Sequence, residues 1–225
     1  MNASIDTGSS RRALVTGGTQ GTGAAIAAVL RRDGMDVWTT ARTMPDGFEH
    51  PDRFVAADLT TPAGATTVIE AIAAVGGVAV LVHVVGGSST PAGGFRVVDD
   101  AHWEHELQLN LLAAVRLDRG LLPSMIAAGG GAVVHISSIQ RRMPLSDGTL
   151  AYAAAKAALT AYSKGLAVEV APPRGAGQLR RTRVHPHHRR GAADWADRRS
   201  RRDLRRGRTR QADGLPRRDP AWSPM

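Results

Sequence analysis

Five short apolar runs, most of them rich in valine, alternate along the chain with longer segments of helical periodicity. The runs occupy residues 13–16, 37–40, 54–57, 78–85 and 132–137, and the helical segments occupy residues 23–32, 62–75, 103–128 and 150–170. Uninterrupted apolar runs are typical of parallel strands that are buried on both faces. The alternation therefore predicts an α/β fold, a doubly wound Rossmann-type parallel sheet with helices on both faces and right-handed crossovers.

The chain has 225 residues, 43% of them hydrophobic, which suits one α/β domain with a sizeable core. We expect a flexible polar N-terminus at residues 1–10, a folded domain at residues 11–170 and a separate tail at residues 171–225. The absence of cysteine excludes disulfides and thiolate metal sites. No apolar run reaches about 18 residues and the N-terminus makes a poor signal peptide, so we expect a cytoplasmic protein without a membrane partner.

The tail at residues 171–225 carries the basic character of the whole chain. It holds 16 arginines, no lysine and five aspartates, whereas residues 1–170 carry 13 basic and 15 acidic residues. Its few aliphatic residues cannot offset the entropy cost of ordering, so we expect a disordered or non-native segment. The arginines would bind nucleic acid nonspecifically through counterion release, but few aromatic residues and no recognition motif accompany them. We therefore expect no specific nucleic-acid partner.

A glycine-rich turn, TGGTQGTG at residues 16–23, joins the first predicted strand to the first predicted helix. Glycines there let the backbone approach a pyrophosphate, and the helix N-terminus supplies free N–H groups and the positive end of a dipole. Such a turn alone can be merely a tight turn, but its place in a βαβ unit favours dinucleotide binding. We predict an NAD(P)-binding domain with cofactor contacts at Gly17, Thr19, Gln20, Gly21, Thr22 and Gly23.

The residues after the second and third predicted strands bear on the choice of dinucleotide. An acidic residue after the second strand would accept hydrogen bonds from the adenosine ribose of NAD, but Ala41 and Arg42 stand there instead. A guanidinium suits a 2′-phosphate, so Arg42 favours NADP(H) over NAD(H), unless it is simply a solvated loop residue. Asp58 and Leu59, just past the third strand, could position the adenine.

Tyr152 and Lys156 are four residues apart in a predicted helix, so both side chains lie on one face. A lysine ammonium stabilises a neighbouring phenolate, which makes the tyrosine usable as a general acid or base. Ser138, at the end of a predicted strand, can hydrogen-bond a reacting oxygen. A Tyr-x-x-x-Lys pair often lies on a protein surface without a function, but Lys156 and Lys164 are the chain's only lysines. In addition, Ser138, Tyr152 and Lys156 come in that order along the chain after the predicted nucleotide-binding turn.

Residues 11–175 resemble the classical short-chain dehydrogenase/reductase family. The resemblance consists of TGGTQGTG for the family's TGxxxGxG turn, Ser138, YAAAK for its YxxxK pair, and Asn110 in LQLNLLAAVRL. It implies hydride transfer between a nicotinamide and a small-molecule carbonyl or alcohol, with Gly86 among the cofactor contacts. Tyr152 would exchange the proton, Ser138 would stabilise the substrate oxygen, Lys156 would also hold the nicotinamide ribose, and Asn110 would hold a water in a proton relay.

The resemblance also implies a homodimer or homotetramer, and it leaves the substrate open. An alternative is a non-catalytic NADP-binding regulatory protein, although a pure sensor needs no proton relay. The family's Asn-Ala-Gly is Val84-Val85-Gly86 here, and Gln140-Arg141-Arg142 sits in a slightly longer loop that could bind an acidic group or face solvent. We interpret four histidines as structural and expect no metal site: His83, His102, His105 and His135.

The family continues after its YxxxK helix with a sixth strand, a Pro-Gly loop and a seventh strand, all missing from this chain. One permitted set of codons for residues 175–191, read from its second nucleotide, gives G-R-V-N-C-V-E-P-G-F-I-H-T-T-E-G. Residues 213–222 with the same displacement read M-A-S-L-G-G-I-P-L-G. We infer a single-nucleotide frame change near residues 171–173, either in the gene or in its recorded sequence. Because strands six and seven would be lost, we expect weak or absent activity.

Overall fold

The computed structural model describes residues 11–145 and 148–171 of the chain. Five strands are β1 Arg12–Thr16, β2 Asp36–Ala41, β3 Phe54–Ala56, β4 Val80–His83 and β5 Ala132–His135. Five α-helices are α1 Gly21–Arg32, α2 Pro62–Ala74, α3 Asp100–Leu107, α4 Ala113–Ala127 and α5 Leu150–Glu169. The sequence predicts a flexible N-terminus at residues 1–10 and a disordered or non-native tail at residues 171–225. Residues 1–10 and the residues from 172 onward lie outside the described residues.

All five strands pair in parallel, in the order β3-β2-β1-β4-β5. The chain therefore moves outward from β1 in one direction through β2 and β3, and then returns to place β4 on the other side of β1. This arrangement confirms the predicted Rossmann-type sheet, with its topological switch point between β1 and β4. Within the part of the chain that the structure describes, β5 is paired on one side only.

Helices cover both faces of the sheet, as the uninterrupted apolar strands predict. Leu14 of β1 points to one face, where it packs with residues of α2 and α4 such as Val68 and Leu117. Its neighbours Ala13 and Val15 point to the other face, where they pack with Ala27 of α1. Because adjacent residues of one strand are buried on opposite faces, the strand has no solvent-facing side, which explains its lack of polar alternation.

The long helix predicted at residues 103–128 begins earlier and is interrupted. It begins at Asp100, because the side chain of Asp99 accepts a hydrogen bond from the His102 backbone N–H at 3.0 Å and caps the first turn. A π-helical segment, Gln108–Leu112, separates α3 from α4. π-helical turns are rare and are frequently found at functional sites, and this one contains Asn110.

The strand predicted at residues 78–85 is shorter than expected, because a side chain takes over the pairing at its end. The hydroxyl of Thr16 accepts hydrogen bonds from the backbone N–H groups of Val84 and Val85, at 3.0 and 3.2 Å. The backbone after His83 therefore leaves the sheet while its polar groups remain satisfied. None of the helices in the described ranges is long and apolar enough to cross a membrane.

A buried cluster of polar side chains ties β4, β5, α4 and α5 together. Asp118 is fully buried and accepts hydrogen bonds from His83 at 2.8 Å, from His135 at 2.9 Å and from the Tyr162 hydroxyl at 3.0 Å. The other ring nitrogen of His135 is 2.9 Å from the Ser163 hydroxyl. Burial acts against the Asp118 carboxylate, but the charge of His83 and the hydrogen bonds hold its pKa well below the usual range.

The sequence spacing of His83 and His135 gave no indication that a carboxylate lies between them. Their ligand atoms and an Asp118 oxygen lie within 4.8 Å of one another, which is close enough to consider a metal ion. The two imidazole rings, however, stack with an interplanar angle of 6°, so their nitrogen lone pairs run parallel instead of converging on one point. Both rings contact the carboxylate directly, which is the geometry of a hydrogen-bonded network.

We expect the free energy of unfolding to fall as the pH drops from about 7 to about 5. Burial lowers the pKa of His135 below its ordinary value of 6.5, so the unfolded chain takes up a proton there that the folded chain does not. The neutral imidazole of His135 therefore contributes fully to the free energy of unfolding at pH values above 6.5. Below pH 6.5 this contribution falls by up to about 1.4 kcal/mol for each pH unit. Urea unfolding at a series of pH values measures the slope.

A substitution separates His135 from the other groups that titrate in this range. His135→Asn should reduce the slope of unfolding free energy against pH, whereas His105→Asn, at an exposed position of α3, should leave the slope unchanged. An identical slope in the parent and in His135→Asn would contradict the assignment.

Candidate active site

The predicted site residues converge at the carboxyl ends of β1, β4 and β5, beside the switch point of the sheet. The glycine turn follows β1, Gly86 follows β4, and Ser138 follows β5. Tyr152 and Lys156 lie in the first turns of α5, and Asn110 lies in the π-helical segment. Ligands of open α/β sheets bind at this edge, so the topology assembles the sequence-predicted set in one place.

Two positions of the glycine turn disfavour a side chain, Gly23 for lack of space and Gly17 because of its positive φ. A Cβ on Gly23 would lie 2.0 Å from the Gly17 carbonyl oxygen, and a Cβ on Gly17 would lie 3.3 Å from Val85 at a φ of +65°. Helix α1 begins at Gly21, and the side chain of its N-cap residue, Gln20, accepts no hydrogen bond from the first N–H groups of the helix. Close backbone packing and free helix N–H groups together make an anion-binding turn.

The residues past β2 and β3 lie near one another at the adenosine end of this edge. Arg42 is exposed immediately after β2, and Leu59 is buried after β3. The carboxylate of Asp58 accepts hydrogen bonds from the Thr60 hydroxyl at 2.7 Å and backbone N–H at 3.0 Å. These hydrogen bonds, with a smaller contribution from the charge of Arg42, lower the pKa of Asp58. Arg42 and Asp58 therefore share one electrostatic neighbourhood, as their positions after adjacent strands predict.

Gly86 separates two of the predicted catalytic side chains. A Cβ at Gly86 would lie 2.7 Å from the Lys156 ammonium nitrogen and 2.8 Å from the Asn110 amide oxygen. The Asn110 side chain is 2% exposed and pairs with Gly87 in both directions, accepting from its N–H at 3.0 Å and donating to its carbonyl at 2.9 Å. Any residue larger than glycine at position 86 would push Lys156 and Asn110 apart.

Lys156 is the most unusual group of the site, because its side chain is 3% exposed. Its ammonium donates to the Ile136 carbonyl at 3.2 Å and lies 5.8 Å from the centre of the Tyr152 ring. Burial lowers the pKa of Lys156 from 10.5 to about 8, and the charge of Glu106 opposes that shift. The amine therefore changes charge close to neutral pH, beside the phenol that is predicted to exchange a proton.

Ser138 is half-buried at the start of a short 3₁₀ turn, Ile139–Arg141, that follows β5. Its hydroxyl accepts a hydrogen bond from the Gln140 backbone N–H at 3.2 Å, and its carbonyl accepts one from the Arg141 guanidinium at 3.1 Å. Arg142 is exposed to solvent. The two arginines of this loop therefore differ: Arg141 holds the backbone carbonyl of Ser138, and Arg142 is accessible.

Glu106 is a buried residue next to the site that the sequence patterns did not single out. It lies one helical turn before Asn110, is 1% exposed, and accepts a hydrogen bond from the Asn110 amide at 2.7 Å. Its only signal in the sequence is an acidic side chain at the helical spacing that places it on the same face as a predicted catalytic residue.

A protein-family model described as short chain dehydrogenase matches residues 11–176. Oxidoreductase UcpA of Escherichia coli K12 is 31% identical over 170 residues, which cover 72% of this chain and 64% of that protein. The 3-oxoacyl-[acyl-carrier-protein] reductase FabG of the same strain is 34% identical over 167 residues, with 71% and 67% covered. The chain thus spans a little less than two thirds of the length of UcpA.

Solved structures with the same fold include L-sorbose reductase from Gluconobacter frateurii in complex with NADPH and L-sorbose. It superposes with a TM-score of 0.66 at 35% identity, covering 72% of this chain and 65% of that one. NADH-dependent reductase A1-R' in complex with NAD superposes with the same TM-score of 0.66 at 26% identity, covering 72% and 73%.

The family model covers well over half of the chain's 225 residues, and it covers every helix and strand of the described residues. This match confirms the resemblance that the glycine turn, Ser138 and the Tyr152–Lys156 pair indicated. The chain belongs to the short-chain dehydrogenase family.

Proposed function

We propose that this chain is built as an NADP(H)-dependent oxidoreductase that transfers hydride between a nicotinamide and a small-molecule carbonyl or alcohol. The observation that carries the proposal is the burial of Lys156 between the Tyr152 ring and Gly86. Burying an ammonium costs free energy and is uncommon unless the charge has a partner or a role. Here the ammonium is placed where it can act on a phenol.

The chain's own geometry fits a nicotinamide dinucleotide. The glycine turn suits a pyrophosphate, because its backbone packs closely at Gly23 and the N-terminal N–H groups of α1 carry no side-chain cap from Gln20. When bound, such a cofactor supplies or accepts hydride at C4 of its ring. The residues that would hold it run from the adenosine end to the nicotinamide end: Arg42, Asp58, Leu59, Gly17, Thr19, Gln20, Gly21, Thr22, Gly23, Gly86, Tyr152 and Lys156.

The four catalytic side chains have separable roles in this proposal. The Ser138 hydroxyl donates a hydrogen bond to the substrate oxygen and so holds it next to Tyr152. The Tyr152 phenol gives that oxygen its proton in reduction and takes it in oxidation. The positive charge of the Lys156 ammonium stabilises the phenolate. A proton that Lys156 gives up is replaced from the side of the site where Asn110 lies. Asn110, held by both polar groups of Gly87, keeps that side of the lysine polar.

Arg42 favours NADP(H) over NAD(H) in this proposal, because its guanidinium is exposed beside Asp58 at the adenosine end. The relatives support a nicotinamide cofactor without deciding between the two, since the sorbose reductase holds NADPH and reductase A1-R' holds NAD. A guanidinium can bind a 2′-phosphate in a bidentate manner, whereas the ribose of NAD offers it no anion. We propose no specific nucleic-acid partner, and a homodimer or homotetramer is the assembly that the family suggests.

A frame change near residues 171–173 remains our explanation for the tail, and with it we propose that the activity of this chain as written is weak. The displaced reading restores the Pro-Gly segment that the family places beside the nicotinamide. The arginines of the tail would then follow from out-of-frame codons, and they would carry no information about a partner.

Replacing Tyr152 by phenylalanine should separate chemistry from binding. We expect Tyr152→Phe to lower the rate of NADPH oxidation with a panel of carbonyl compounds at least about 100-fold, because the proton donor is removed. The dissociation constant for NADPH, measured by fluorescence titration, should change less than about 2-fold. Tyr162→Phe removes the chain's other phenol, which hydrogen-bonds Asp118 away from the site, and should spare turnover. Full turnover by Tyr152→Phe would exclude this role for Tyr152.

Arg42→Ala should weaken NADPH binding about 10-fold or more and leave NADH binding nearly unchanged, because only NADPH has the 2′-phosphate that the guanidinium binds. Calorimetric titration of both cofactors measures the two constants. Arg32→Ala, which removes an exposed arginine from the far end of α1, is the matched control. Equal losses for the two cofactors would contradict the assignment of Arg42.

Sequencing the locus tests the frame change directly. We expect a single inserted or deleted nucleotide near codons 171–173, and a restored frame that encodes the V-N and P-G-F-I segments. The protein from the restored frame should oxidise NADPH faster with carbonyl substrates than the chain as written. An uninterrupted frame through this region would exclude the explanation.

A further inference from the structure

Glu106 is a buried carboxylate that neither the fold nor the proposed mechanism requires. It lies in α3, at 1% exposure, where an aliphatic side chain would fill the same space without any cost of burying charge. Acidic side chains are almost never fully buried unless they are paired. The groups that Glu106 pairs with therefore indicate what it does.

The two oxygens of Glu106 bind two different parts of the site. One oxygen accepts a hydrogen bond from the Ser89 backbone N–H at 3.0 Å, in the loop that follows β4. The other accepts one from the Asn110 side-chain amide at 2.7 Å. A single carboxylate thus connects the loop that begins at Gly86 with the π-helical segment that carries Asn110.

The second hydrogen bond favours the same orientation of the Asn110 amide as the two hydrogen bonds between Asn110 and Gly87. A carboxylate only accepts hydrogen bonds, so it selects the NH₂ end of the amide. The carbonyl oxygens of Glu106 and Gly87 also face that nitrogen, at 3.1 and 2.9 Å. The amide oxygen is therefore turned toward Gly86, on the side where the Lys156 ammonium lies. With the amide reversed, its NH₂ group would face that ammonium, donor against donor.

Charge acts in the same direction as this geometry. The ionisable side chains that face Lys156 are Glu106 of α3, Tyr152 of its own helix and His135 of β5. Glu106 is the one that opposes the effect of burial on Lys156, because its negative charge favours the ammonium form.

We propose that Glu106 is a positioning residue of this site, whose carboxylate acts together with Gly87 to hold the orientation of the Asn110 amide and ties the loop at Ser89 to it. Its consequence for turnover rests on the proposed function, whereas its effect on Asn110 and Lys156 is a property of the folded chain alone. The experiment is designed to read these two levels separately.

The variant Glu106→Gln keeps the shape of the side chain and removes one acceptor and the charge. A glutamine offers one carbonyl oxygen, so either Ser89 or Asn110 must face an NH₂ group. Glu104→Gln, at an exposed position of the same helix, is the matched control.

The composition of the chain makes the readout specific. Asn110 and Asn2 are its only asparagines, and Lys156 and Lys164 its only lysines, so residue-selective isotope labelling gives two amide pairs and two lysine signals in the NMR spectrum. In Glu106→Gln we expect both amide protons of Asn110 to shift, and the titration midpoint of Lys156 to fall by roughly one unit below its value in the parent. Glu104→Gln should move neither.

The pH profile of turnover tests the effect of Glu106 on catalysis, which rests on the proposed function. Since Lys156 would lose its proton at lower pH in Glu106→Gln, the alkaline limb of kcat should move toward lower pH, with the dissociation constant for NADPH changed less than about 2-fold. Absent turnover in the protein from the restored frame would count against the proposed function only, because the NMR signals of the chain as written still report on Glu106.

The outcomes that would overturn the proposal are equally distinct. It fails if the Asn110 and Lys156 signals of Glu106→Gln coincide with those of the parent. Should that variant not fold, the parent protein decides: the Asn110 amide protons must exchange with solvent much more slowly than those of the free amino acid asparagine. Equal exchange rates would show that no carboxylate holds the Asn110 amide.

Discussion

The buried ammonium of Lys156 is the constraint around which the carboxyl edge of the sheet is arranged. At 3% exposure it cannot rely on water, so the protein must supply acceptors and a counter-charge. The Ile136 carbonyl is the direct acceptor, and Glu106 contributes the charge. Glycine at position 86 leaves the space that the ammonium occupies. Helix α3 and the loops that follow β4 and β5 therefore all contribute to accommodating one side chain of α5.

The sequence predicts the sheet well because parallel strands covered on both faces have a distinctive pattern. Uninterrupted valine-rich runs followed by helical periodicity leave few other folds, and the glycine turn identifies the first βαβ unit. The positions of Ser138, Tyr152 and Lys156 in the fold could be predicted for a related reason. Their spacing along the chain maps directly onto a strand end and one helix face, so local rules suffice to bring them to the same edge.

Glu106 and Asp118 could not be identified in the same way, because their roles depend on partners far along the chain. Asp118 binds His83, 35 residues before it, and Tyr162, 44 residues after it. Glu106 contacts Ser89, 17 residues before it, through a backbone N–H that has no side-chain signature. The π-helical segment is likewise invisible to a periodicity of 3.6 residues per turn. Local patterns predict elements, but they do not predict which buried polar groups meet between them.

The two buried carboxylates differ in what they connect, and this difference separates stability from function. Asp118 accepts its hydrogen bonds from side chains of β4, β5 and α5, so its loss would loosen the packing of whole elements. Glu106 binds a loop N–H and one amide, so its loss would leave the sheet and helices packed as they are. Both stand on the same long helical segment, on either side of the π-helical turn. That turn therefore divides the part of the segment that contacts the candidate site from the part that joins the elements of the fold.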